Sequence, residues 1–237
     1  MTATVHIISW LDIAIGFIPM SIALLIMFRW SDRGFMALYS TARMLIQLIV
    51  IGYFLIYIFD AKEPWIICSV LAVMLFVASW ISLNSVREKR TQLYPAVFVS
   101  LVLGGGLVLF TITWGVLHIE PWYLPQTMVP LAGMTFANAM NTVSLAAERY
   151  ESELKNGLPC EDAKKVAFQV AMIPVINSMF AVGLVALPGM MTGQILSGVS
   201  PLIAVRYQIV VMCMLFAGSC LCSACYLQLV SSKKWFA

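Results

Sequence analysis

Charged side chains are scarce in this sequence. Asp, Glu, Lys and Arg together make up 11% of its 237 residues, whereas hydrophobic residues make up 62%. A typical soluble domain carries roughly 25% charged residues, and the mean hydropathy here is +0.94. This imbalance excludes an ordinary soluble domain and predicts an integral membrane protein.

The motifs of several enzyme classes are also missing. The sequence has no GxxxxGK followed by Ser or Thr to hold nucleotide phosphates, and no GxGxxG that opens a helix after a strand. HExxH and GxSxG are absent, and histidine occurs only at His6 and His118. We therefore expect a transport protein rather than an enzyme, without a cofactor of its own and without a nucleic-acid partner.

Long apolar runs account for most of the chain. A run of about 20 residues is long enough to cross a hydrocarbon layer of roughly 30 Å as a helix. The sequence predicts an all-α protein with about seven transmembrane helices, over residues 7–28, 37–59, 64–83, 95–117, 126–147, 166–187 and 203–229. All of them belong to one predicted permease domain, 1–237.

Lysine and arginine predict the orientation of these spans, because basic loops stay on the cytoplasmic side. They cluster after the first, third and fifth spans and at the end of the chain: Arg29, Arg33, Arg87, Lys89, Arg90, Arg149, Lys155, Lys164, Lys165, Lys233 and Lys234. The N-terminus is thus expected outside and the C-terminus in the cytoplasm. A bacterial inner membrane is the expected location, with lipid around the spans.

Amide side chains lie inside two of the predicted spans. Asn138 and Asn141 are three residues apart in the fifth span and share a helix face, and Asn177 lies in the sixth. Polar groups are costly in hydrocarbon and mark substrate pathways, but they also join membrane helices to one another. Both interpretations, a substrate pathway and interhelical contacts, stay open for these residues.

A Gly- and Pro-rich segment, residues 188–200, separates the last two spans. Pro188 is expected to end the sixth helix, and Gly189 and Gly193 to allow turns that other residues disfavour. An unwound backbone would expose carbonyl groups beside possible ligands, namely Thr192, Gln194, and the thioethers of Met190 and Met191. The alternatives are a tight extracellular loop, and methionines that fill gaps in apolar packing.

The connection between the fifth and sixth spans, residues 148–165, carries its own helix signals. Asn156 and Gly157 are typical of a helix end, and a new helix is expected to start near Pro159. Glu161 and Asp162 then lie in its first turn, where acids are favourable.

Three stretches of this sequence resemble one transporter family. PQTMVPLAGMTFANAMNTVSLAAER, IPVINSMFAVGLVALPGMMTGQILSGVSPLIAVRYQIVVM and RMLIQLIVIGYFLIYIF resemble the FetB-type ABC transporter permease family, which includes the plant aluminium-tolerance permeases. The resemblance implies a homodimeric permease that works with a separate ABC-type subunit, and ATP would bind to that subunit. It implies export of a metal ion such as iron, with a nucleotide sugar such as UDP-glucose as the alternative substrate.

The resemblance gives residues 148–165 a role, and the Gly- and Pro-rich composition of residues 188–194 indicates a gate at the outer side. Residues 148–165 would form the contact with the ATPase through Glu148, Arg149, Glu153, Glu161 and Lys164, although this connection looks shorter than in the family. The gate would include Pro188, Gly189 and Gly193, so valine at both glycines is expected to abolish transport. A secondary carrier or channel that needs no ATPase is the alternative that the short connection favours.

Overall fold

The computed structural model describes residues 8–60 and 63–232, and these residues form helices without a strand. The helices are α1 (Trp10–Trp30), α2 (Gly34–Phe59), α3 (Pro64–Ser82), α4 (Arg90–Ser100), α5 (Leu107–Gly115), α6 (Pro125–Lys155), α7 (Cys160–Ala181), α8 (Gly189–Leu196) and α9 (Pro201–Ser231). A 3₁₀ turn, Arg87–Lys89, precedes α4, and a π-helical segment, Leu101–Gly106, joins α4 to α5. The all-α prediction is confirmed.

Among residues 8–60 and 63–232, five helical segments are long and apolar enough to cross a membrane: Trp10–Trp30, Gly34–Phe59, Pro64–Ser82, Arg87–Gly115 and Pro201–Ser231. Each coincides with a predicted span. The other two predicted spans fall on α6 and α7, which carry the amide side chains. The count of seven and the orientation stay predictions, and Ile7, Lys233 and Lys234 lie outside the described residues.

The chain divides into two units between residues 61 and 62. In the first unit, α1 contacts α2, and α1 buries none of its residues. Ser9 caps α1: the Asp12 carboxylate accepts hydrogen bonds from the Ser9 backbone N–H at 3.0 Å and from the Ser9 hydroxyl at 2.7 Å. Asp12 therefore serves helix capping within this unit.

The second unit is built around α6 and α9, which contact each other and the helices beside them. Small residues line their buried faces, including Ala132, Ala139 and Ala146 on α6 and Gly218 on α9. Membrane helices attract each other through close packing rather than through expulsion of water, so small side chains at the contact favour association. A side chain at Gly218 would come within 3.2 Å of the Thr135 methyl group.

The connection between α6 and α7 follows the predicted helix signals. Helix α6 ends at Lys155, Asn156 caps it, and Gly157 has a φ of 85°, which favours glycine. Helix α7 begins at Cys160 after Pro159, with both predicted acids in its first turn. These boundaries are confirmed.

The candidate membrane span Arg87–Gly115 contains the π-helical segment at its middle. There the backbone of Gly104 lies directly against α9: an added Cβ would be 2.7 Å from the Cys222 Sγ atom and 2.8 Å from its backbone nitrogen. Gly106, two residues further, has open space where its Cβ would be. Only the first of these glycines is therefore required by packing.

Gly104→Ala should destabilise the protein by about 1–3 kcal/mol, because the methyl group overpacks a backbone contact that has no room to give. Gly106→Ala is the matched control and should leave stability unchanged or slightly raised, since alanine is the better helix former. Thermal unfolding of the detergent-solubilised variants checks both. Equal melting temperatures for the two variants would contradict this account of the α9 contact.

Candidate functional site

A cavity of about 400 Å³ lies between α6, α7, α8 and α9. Five of the predicted residues line it: Asn138, Asn141, Pro188, Gly189 and Met190. The remaining lining residues are Met134, Thr142, Leu145, Ala171, Pro174, Val175, Ser178, Ala181, Val182, Ala186, Gln208, Val211, Met212 and Leu215. This volume is typical of a small-ligand site.

The polar groups of this cavity are uncharged. Its lining residues include no Asp, Glu, Lys, Arg or His. Asn138 donates its side-chain Nδ2 to the Met134 carbonyl at 3.0 Å, which leaves the Oδ1 atom available as an acceptor. The Thr142 hydroxyl donates to the Asn138 carbonyl at 2.9 Å. The cavity can thus offer amide oxygens and thioethers to a ligand without a counter-charge.

Gln208 is a residue of this cavity that the sequence reasoning missed. It is 5% exposed, and its Oε1 atom is buried without a hydrogen-bond partner. The available signal was its position as an amide within the predicted span 203–229, in the stretch LIAVRYQIVVM, since polar residues within a span are costly.

The other predicted pathway residues lie elsewhere. Met191 lines a neighbouring cavity of about 410 Å³, which Gln208 and Met212 also line. Asn177 is exposed, and the Thr192 hydroxyl donates to the Pro188 carbonyl at 3.2 Å. The Oε1 atom of Gln194 is buried without a partner, but this residue does not line either cavity.

The prediction of an unwound segment after Pro188 is wrong. Pro188 caps the start of α8, and Gly189 and Gly193 lie within this helix, where a Cβ at either position meets nothing within 4 Å. The preceding helix ends earlier than predicted, at Ala181. The backbone turns instead at Gly183 and Gly198, whose φ values are 86° and 90°. At the start of a helix the φ of proline is already suitable, and the N–H that proline lacks would have no partner within the helix. Pro188 therefore begins a helix here, although proline inside a helix usually ends it.

Charged side chains gather at the α6–α7 connection, where the ATPase contact was predicted. Arg149 forms an ion pair with the buried Glu153, one helical turn away. Lys164 pairs with Glu161 at 2.7 Å and donates to Gln228 of α9 at 3.3 Å. Glu148 is exposed. The structure therefore places all five predicted coupling residues at one end of α6 and α7.

A buried acid in this region escaped the prediction. Glu151 accepts a hydrogen bond from the Lys89 ammonium at 2.6 Å, and its own side chain is 9% exposed. Ser85 also donates to the Ser144 carbonyl of α6 at 3.3 Å. The α3–α4 connection is thus bonded to α6 at two points. Lys89 and Glu151 are 62 residues apart in the sequence, so local sequence patterns could not predict their contact.

Tyr150 lies beside this acid and is buried. Burial, with a smaller contribution from Cys160, raises the pKa of Tyr150 to about 12. Its hydroxyl stays protonated at neutral pH, so it adds no charge to the region.

No group of three or more His, Cys, Asp or Glu side chains that could hold a metal ion occurs among residues 8–60 and 63–232. Any side-chain metal ligands in the cavity described above would therefore be amide oxygens, hydroxyls or thioethers.

Comparison with known proteins relates the whole chain to one family. The family described as "Uncharacterised protein family (UPF0014)" matches residues 8–158 and 159–236. The UPF0014 membrane protein slr1647 of Synechocystis is 34% identical over 86% of this chain and 85% of its own length. The probable iron export permease protein FetB of Escherichia coli is 31% identical over 80% of this chain and 78% of its own.

A plant protein is similar to the same extent. Protein ALUMINUM SENSITIVE 3 of Arabidopsis thaliana is 32% identical over 77% of this chain and 71% of its own length. No solved structure matches the chain. With its apolar helices and a family match over nearly its full length, this chain is an integral membrane protein that belongs to the UPF0014 family.

Proposed function

We propose that this chain is the membrane-spanning permease subunit of an ABC transporter that exports a metal ion such as iron. The observation that carries the proposal is the uncharged cavity between α6, α7, α8 and α9, which three of the seven predicted pathway residues line, namely Asn138, Asn141 and Met190. The name of the Escherichia coli relative, a probable iron export permease, supports this substrate. ATP would bind to a separate subunit, and two copies of this chain would form the permease.

In this proposal the ATPase contacts the charged end of α6 and α7. Ion pairs hold Glu153 and Lys164 in place there, and a docking surface benefits from such fixed charges because they set the orientation of the partner. The Lys89–Glu151 pair extends this surface to the α3–α4 connection. A movement of the ATPase would therefore reach α3 and α4 as well as α6 and α7.

The gate in this proposal is α8, carried between two glycine turns. Gly183 and Gly198 flank the helix and both have positive φ values, while Pro188, Gly189 and Met190 face the cavity. Rotation of α8 about these turns would open or close the cavity without unwinding the helix. Short segments that absorb φ/ψ changes commonly serve as hinges.

Purification of the tagged chain from its native membrane tests the proposal directly. An ATP-binding subunit should co-purify in a stoichiometric amount, and the complex should hydrolyse ATP. The untagged chain, processed in parallel, controls for adhering proteins. If no ATPase is recovered after crosslinking, while iron transport by the reconstituted chain continues, the carrier interpretation replaces the ABC interpretation.

A charge exchange tests the role of the Lys89–Glu151 pair. Lys89→Glu and Glu151→Lys should each reduce iron export by about tenfold, and the double exchange should recover most of it, because contacting charges couple by up to ~3 kcal/mol and tenfold corresponds to about 1.4 kcal/mol. Export of radioactive iron from membrane vesicles gives the measurement.

Asp60→Asn is the control for this experiment, because Asp60 is an exposed acid after α2 and lies outside the proposed ATPase contact. It should leave export unchanged. If the two single exchanges export iron normally, the α3–α4 connection has no part in coupling.

The gate is tested at its turns. Gly198→Val should slow export strongly, because a β-branched residue is strained by roughly 1–2 kcal/mol or more at a positive φ. Gly193→Val adds the same side chain where the structure leaves open space, so it should retain most activity. Membrane insertion of both variants is confirmed by fractionation, and the opposite ranking of their export rates would return the gate to Gly193.

A further inference from the structure

The cavity between α6, α7, α8 and α9 has a donor set that selects among substrates. Its amide groups belong to Asn138, Asn141 and Gln208. Three thioethers share it with them, those of Met134, Met190 and Met212. Oxygen ligands of this kind accept cations, and thioethers favour soft or borderline metals over hard ones.

The absence of charged residues in this lining further restricts the classes of substrate that the cavity can accept. A diphosphate group would meet no Lys, Arg or His within the cavity, although buried anions need a counter-charge or many donors. A ferric ion carries three positive charges and would meet no carboxylate there. The ferrous ion carries two positive charges and therefore needs less compensating negative charge. Thioethers also suit the ferrous ion better than the ferric ion.

Gln208 is the group that a substrate would satisfy. Its Oε1 atom is buried without a partner, in a residue that is 5% exposed and borders both neighbouring cavities. Leaving a buried acceptor unsatisfied lowers stability. Buried atoms without a partner also occur at Glu151, Gln194, Ser219 and Tyr226, but these residues line neither cavity, so it is the position of Gln208 that indicates a ligand contact.

We infer that Gln208, with Asn138 and the three methionines, forms a binding site for a transition-metal cation of low charge, with ferrous rather than ferric iron as the substrate form. This inference rests on the proposed function for the identity of the metal. It assigns Gln208 the role of a specificity-determining substrate ligand.

Binding to the purified full chain in nanodiscs tests the site. Fe²⁺ under anaerobic reducing conditions, Fe³⁺ as its citrate complex, and UDP-glucose are the three probes, and equilibrium dialysis with labelled compounds measures their affinities. The chain should bind Fe²⁺ and should not bind the other two. Gln208→Leu should weaken Fe²⁺ binding by about tenfold or more, which corresponds to the loss of one good ligand contact.

Gln169→Leu is the matched control. Gln169 is exposed on α7 and does not line the cavity, so its loss should leave Fe²⁺ affinity unchanged. Gln208→Glu adds the missing counter-charge and should tighten Fe²⁺ binding. Met212→Leu keeps the volume but removes a thioether, and should weaken Fe²⁺ binding while sulfur scattering in the iron X-ray absorption spectrum decreases.

Thermal unfolding separates a ligand role from a structural one. Without metal, Gln208→Leu should melt at the same temperature as the parent chain or higher, because it removes an unsatisfied buried acceptor. A lower melting temperature, Fe²⁺ affinity that is unchanged in Gln208→Leu, or tighter binding of ferric citrate or UDP-glucose by the parent chain would each overturn the inference.

The assay also distinguishes this inference from the proposed function. Binding needs neither ATP nor the ATPase, so failure to find an ATPase leaves its result valid. Conversely, iron-dependent ATP hydrolysis by the complex with no effect of Gln208→Leu on binding would retain the proposed function and place the substrate site elsewhere.

Discussion

Polar groups buried in hydrocarbon must find partners within the protein, and this requirement governs the structure of the second unit. Backbone groups are satisfied in the helices themselves. Several buried hydroxyls also bond within their own helix: Ser79, Thr135 and Ser223 each donate to the carbonyl one turn earlier, at 2.7–2.8 Å. Because their hydroxyl groups are satisfied within their own helix, these small residues can be buried as alanine can, and they can lie where helices approach closely.

The close approach of helices determines which of them form the centre of the second unit. Alanine, serine and glycine on the buried faces bring α6, α7 and α9 together, and the π-helical segment places Gly104 against the backbone of α9. Segments of this kind interrupt regular helices at places of structural or functional importance. At this place a side chain larger than that of Gly104 would keep α9 at a greater distance.

Among the buried polar residues that do not follow this pattern, those of two regions bear on function. At one end of α6, Glu151 and Glu153 are buried acids with cationic partners from a connection and from the same helix. In the cavity, Gln208 is buried with an acceptor that has no partner. The first region is compensated by charge and suits mechanical contact with a partner, whereas the second is uncompensated and suits a substrate. Helix α8 lies beside the second, between two glycine turns.

The sequence by itself determined the class of the protein, because apolar length and scarce charge are sufficient to identify membrane-crossing helices. It also determined local boundaries such as Asn156, Gly157 and Pro159, since capping depends on neighbouring residues only. It also predicted pathway residues with polar or thioether groups, of which Asn138, Asn141 and Met190 line the cavity. Tertiary structure alone decided that Gln208 faces them, that Glu151 pairs with Lys89, and that Gly189 and Gly193 belong to a helix while Gly183 and Gly198 make the turns. These outcomes depend on which helix faces meet and on φ values selected by packing, and neither follows from spacing along one chain segment.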